Sequence, residues 1–86
     1  MIILAGGNGS SKEEAVIILN AENESEGVDA EYNYLEEILG EENIYWKFLY
    51  QHFIDDGNKQ YDILYIDVVD GAEKEFYFDI TDFYGK

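Results

Sequence analysis

The sequence predicts a small α+β domain in which one amphipathic helix packs on a mainly antiparallel sheet of about four strands, in the order β-α-β-β-β. Three observations predict it. Tyr61 to Ile80 reads YDILYIDVV, then Asp70-Gly71, then AEKEFYFDI, so two β-rich runs flank a turn dipeptide. Val28 to Leu39 repeats its apolar residues at helical spacing. Ala15 to Leu19, AVIIL, is a short unbroken apolar run.

In chain order, residues 1–14 read as a flexible or loosely packed N-terminal segment of a single domain spanning 1–86. Met1 to Leu4 lacks the basic flank and the length of a signal peptide. GGNGSSKEE, residues 6–14, is glycine-rich, yet it completes neither a dinucleotide nor a Walker A pattern, and Glu13 and Glu14 oppose an anion. Ser11 and Glu14 have capping-box spacing. In AVIIL the β-branched Val16, Ile17 and Ile18 favour a strand over a helix begun at Ser11.

An acidic loop, residues 20–27, precedes the helix. Val28, Tyr32, Leu35, Ile38 and Leu39 form its apolar side, and Glu31, Asn33, Glu36 and Glu37 fall opposite. Ser25 or Asp29 supplies the N-cap, and Gly40 suits the C-terminal end. Residues 43–54, NIYWKFLYQHFI, fit a strand or a helix. The aromatic load and the Asp56-Gly57 turn favour a strand leading into a second hairpin.

For the last hairpin, a two-residue type I′ loop at Asp70-Gly71 would set Val69 opposite Ala72, Tyr65 opposite Phe76, Asp67 opposite Lys74 and Asp62 opposite Asp79. A one-residue bulge would instead gather Leu64, Ile66, Phe76 and Phe78 on one face, but it would put Asp67 against Glu75. The two-residue loop is the preferred register. Either way the sheet carries apolar residues on both faces. The second face needs cover from the N-terminal segment, from residues 44–54, from a second copy in a homodimer, or from a partner.

Charge is the extreme property. Twenty Asp and Glu face five Lys, with no Arg, for a net charge of −15. Such a surface repels phosphate backbones and anionic membranes, so no direct nucleic-acid or membrane contact is expected. A basic protein partner is compatible with it, as are cations. Without cysteine there is no disulfide or thiolate metal site, and the single histidine, His52, cannot build an imidazole zinc site. No run approaches membrane-spanning length, and a cytoplasmic location is the expectation.

The spacing GGNGSS…AVII…EGVDAEYNYL…W…Q…YDILYI…DG…FYFDITDFYGK resembles small, uncharacterised acidic bacterial proteins of similar length. The resemblance covers most of the chain, implies no known activity, and therefore carries over no site residue.

The expected function is an acidic protein-binding module, of the immunity or inhibitor type, that binds a basic partner. Its partner-facing residues are Glu31, Glu36, Glu37, Glu41 and Glu42, with Tyr34 and Tyr45 adjacent. An alternative is a cation-stabilised structural domain with Asp62, Asp79 and Asp82 as ligands. A small enzyme using a carboxylate pair ranks last. Ser10, Ser11 and Ser25 sit in loops without a nucleophile elbow, so no catalytic residue and no cofactor is expected.

Overall fold

In the computed structural model, which describes residues 1–86, the chain forms β1 (Ile3–Gly6), β2 (Val16–Leu19), α1 (Glu24–Leu39), β3 (Trp46–Asp55), β4 (Gln60–Val68) and β5 (Glu73–Asp79). The strands make one five-stranded mixed sheet in the order β1-β2-β5-β4-β3. Every neighbouring pair is antiparallel except β2 with β5. The α+β class stands, with five strands where the sequence predicts about four. The addition is β1, which pairs Ile3 with Leu19 through Gly6 with Val16. A strand of four residues is too short to stand out in a sequence, and here it comes from the segment expected to be loose. Backbone hydrogen bonds from Gly7 to Ala15 (3.1 Å) and from Gly9 to Glu14 (2.7 Å) tie down the connection that follows it.

α1 begins four residues before the expected Val28. Neither Ser25 nor Asp29 caps it; the Asn23 side chain does, accepting from the Glu26 N–H at 2.8 Å. Gly40 ends it at φ 101°, donating to the Glu36 carbonyl, as the sequence predicts. Residues 46–55 are a strand, and the turn after them closes on Gly57 at φ 94°, with Asp56 N–H bonded to the Lys59 carbonyl at 3.1 Å. Glycine at the first central position matches a type II′ hairpin.

The last hairpin corrects the preferred register by one residue. Val68 N–H bonds the Ala72 carbonyl at 2.8 Å, so the loop is Val69-Asp70-Gly71, with Gly71 at φ 91° as in a type I turn plus bulge. Leu64 now faces Phe76, Ile66 faces Lys74, Asp62 faces Phe78 and Tyr61 faces Asp79. The reason is burial. This register turns Leu64, Ile66, Phe76 and Phe78 toward α1, and it separates the Asp62–Asp79 like-charge pair that the other would create.

The core lies between that face and the helix. Val16, Ile18, Leu64, Ile66, Phe78 and Trp46 from the sheet meet Ala30 and Leu35 of α1, and the C-terminal tail adds Ile80 and Phe83. Trp46 also donates its indole N–H to the Gly40 carbonyl at 2.8 Å, joining the helix end to β3. On the other face the N-terminal segment supplies part of the cover. Lys12 Nζ stands 5.3 Å from the Tyr61 ring centre and 3.0 Å from an Asp56 oxygen. That ammonium holds the Asp56 carboxyl below its usual range, chiefly through the hydrogen bond it donates. Further along this face Tyr50 stacks on Tyr65 at 4.4 Å between centroids, and Tyr50 and His52 remain exposed. No helix is long and apolar enough to cross a membrane.

Candidate functional site

The rotation of α1 decides which of its acids face outward. Of the expected apolar side, Leu35 is fully buried and Tyr32 and Leu39 pack against the core, but Val28 and Ile38 are exposed, and Gly27, Ala30 and Glu31 turn inward beside Leu35. Small residues allow this approach. A Cβ on Gly27 would stand 2.4 Å from the Phe83 ring, so the tail aromatic occupies the space a side chain would take. Glu31 is carried inside with them and is 1% exposed, which corrects its placement as a partner-facing residue. Period alone put it among the polar residues; a glycine and an alanine carry too little hydrophobic signal to mark the true buried side.

Inside, Glu31 meets Asp62 of β4. Burial is the main reason its carboxyl is pushed up to about 10, and the hydrogen bond with Asp62 and the Asp62 charge add to it. Asp62 is also raised, by burial first, while the hydrogen bond from Glu31 pulls it down and the Glu24 charge lifts it. The hydrogen bond thus favours a protonated Glu31 as donor and an ionised Asp62 as acceptor. Glu31 Oε2 has no partner in the protein. Tyr32 stands close enough for its hydroxyl to be raised, first by burial and then by the charges of Glu42, Glu31 and Asp62. Neither Glu31 nor Asp62 lines either of the two surface clefts.

The three aspartates proposed as cation ligands do not converge. Adjacent residues of an antiparallel pairing alternate faces, so Asp62, opposite Phe78, lies on the helix side and Asp79, opposite Tyr61, on the other. Asp79 accepts from the Thr81 N–H at 3.0 Å and the Thr81 hydroxyl at 2.6 Å, with Lys59 Nζ 3.8 Å away. Asp82 accepts from the Asn20 N–H at 2.8 Å. No cluster of three or more His, Asp or Glu side chains is placed to hold a metal ion.

The remaining predicted contact residues divide into two groups. Glu36, Glu41, Glu42 and Tyr45 surround the C-terminal end of α1. A Glu36 oxygen lies 3.4 Å from the Glu42 N–H, and the Tyr45 ring packs against Gly40. Tyr45 also lines a cleft with Ile44, Lys47 and Val69. Tyr34 and Glu37 belong to a different place, a groove of about 370 Å³ between α1 and β1. Tyr34 is half-buried there, its ring edge-on to Phe78 at 5.8 Å and its hydroxyl donating to the Asn8 carbonyl at 3.2 Å.

That groove is the candidate site. Glu26, Asp29 and Glu37 form its helix wall, Ile2 and Leu4 its strand wall, and Ala30, Asn33 and Tyr34 complete the lining. The molecule has two ion pairs, Lys12–Asp56 and Lys59–Asp79, so no acid of α1 is neutralised by a lysine. Sequence reasoning missed Glu26, Asp29, Ile2 and Leu4. The density of acids through residues 20–42 was the available signal, but the groove needs β1 to exist. Comparison with protein-family models, curated proteins and solved structures finds no match.

Proposed function

We propose that the protein is a binding module for a basic protein partner, of the immunity or inhibitor type, with α1 and the groove beside it as its contact surface. The observation that carries this reading is the helix itself. Glu24, Glu26, Asp29, Glu36 and Glu37 lie along its outer side without a single ion-pair partner, on a chain of net charge −15. Such a field accelerates encounter with a cationic surface, and the half-buried Tyr34 and the apolar strand wall supply contact area once the partner arrives. The two alternatives draw no support from this geometry, since the aspartates are dispersed and the buried carboxyl pair lines neither cleft.

The test is capture on immobilised protein, repeated with Asp29→Lys/Glu37→Lys. The reading expects a basic protein that is retained at low salt, released near 1 M salt where the Debye length is about 3 Å, and not retained by the charge-reversed variant. Equal retention by both forms overturns it.

A further inference from the structure

The sheet has two open edges, and they differ. β3 carries Lys47, Gln51, His52 and Asp55 and is interrupted by a bulge between Phe48 and Tyr50. Charges and bulges are the devices by which edge strands resist pairing with other chains. β1 has neither. Ile2 to Ala5 is uncharged, Ile3 is 48% and Leu4 41% exposed, and the backbone pairs with β2 on one side alone. The opposite row of N–H and C=O groups faces outward, directly beside the acid-walled groove.

We infer that the partner docks as an added β-strand on the open edge of β1, with a cationic side chain at every second position turned toward Glu26, Asp29 and Glu37. This rests on the basic-partner reading and names its docking mode. Side chains of a strand alternate between faces, so Ile2 and Leu4 point to the α1 side and Ile3 to the other. A strand added alongside lies about 4.8 Å further out and lays its helix-side residues over the groove. Lysine or arginine fits that position. The aliphatic stem packs along Leu4 and Tyr34 while the charged head reaches the helix carboxylates. Charge also selects the occupant. A second copy of this chain would bring Glu26, Asp29 and Glu37 toward their own equivalents, and no lysine lines the groove to offset them.

The experiment uses the full chain and two synthetic peptides of equal Lys and Leu content, one strictly alternating to favour a strand and one patterned for an amphipathic helix. At low salt the alternating peptide is expected to bind the tighter of the two and to protect backbone amides of residues 2–5 from hydrogen exchange. Leu4→Lys, at an exposed position, is expected to weaken that binding by about tenfold or more, and Glu37→Gln to weaken it with a smaller salt dependence, while Glu73→Gln, exposed on β5 away from the groove, stays within about threefold of the parent. Preference for the helical peptide, unchanged β1 protection, or undiminished binding by Leu4→Lys overturns strand docking. If both peptides fail yet a folded basic protein is still captured in a charge-dependent way, strand docking is again overturned and the basic-partner reading stands. If nothing basic binds, that reading falls as well.

Discussion

Glu31 of α1 and Asp62 of β4 bring two carboxyl groups together where water scarcely reaches, at 1% and 6% exposure. Two ionised carboxylates cannot share such a place, so the pair keeps a proton, and Glu31 is the one that holds it. The acidity of this protein therefore has an inner part that differs in kind from the outer one.

The pair makes stability depend on pH in a definite direction. In the folded chain Glu31 is raised from 4.5 to about 10, so the folded state retains a proton that the unfolded chain releases. Its contribution is complete below about 4.5 and is lost as pH climbs toward 10, by up to about 1.4 kcal/mol for each pH unit. Glu31→Gln keeps the size and a donor toward Asp62 and removes the titration. Urea denaturation between about pH 6 and 9, where exposed carboxylates are already ionised, is expected to show a falling stability for the parent and a flatter profile for the variant. Parallel profiles refute the assignment.

Gly27→Ala tests the close approach of the helix to the tail. Alanine is the better helix former by about 1 kcal/mol, yet its methyl would sit 2.4 Å from the Phe83 ring. We expect a net loss of about 1–3 kcal/mol by chemical denaturation, partly restored by adding Phe83→Leu. A more stable single variant would show that the tail moves aside at little cost.

Deleting Val69 separates the two hairpin registers. With Val68 and Ala72 as the closing pair, the deletion leaves a two-residue Asp70-Gly71 loop and keeps every side chain on its face. It removes one hydrogen bond, from the Val69 N–H to the Tyr45 carbonyl, so a loss of about 1 kcal/mol is expected, with amide protection of residues 64–66 retained. Loss of cooperative unfolding would mean that Val69 belongs to the ladder.

Salt should stabilise the fold. With a net charge of −15 and two ion pairs, screening removes more repulsion than attraction, so the melting temperature is expected to rise from low salt to about 0.5 M NaCl. Calcium at matched ionic strength is expected to add nothing further, because no acidic cluster is arranged to chelate it. A calcium-specific rise would restore the cation-stabilised reading.

Much of the architecture was legible because it is encoded locally. Asp56-Gly57 and Asp70-Gly71 mark turns through backbone sterics, β-branched and aromatic runs mark strands, and Gly40 marks the helix end. The acidic surface follows from composition alone. Of the predicted contact residues, Glu36, Glu37, Glu41 and Tyr45 are at the surface, Tyr34 and Glu42 are half-buried, and Glu31 is interior.

By itself, then, the sequence determined an α+β chain with one amphipathic helix, two C-terminal hairpins and a strongly negative exterior, since propensity, turn chemistry and charge act over a few residues. Tertiary structure decided three things that no short window contains. The hairpin register turned on which face would be buried beneath α1, a choice of one residue that exchanges both faces. The burial of Glu31 turned on how far the helix could rotate and approach, which Phe83 sets from the far end of the chain by resting on Gly27. The groove exists because β1, too short to announce itself, finds β2 and lies beside the acids of α1.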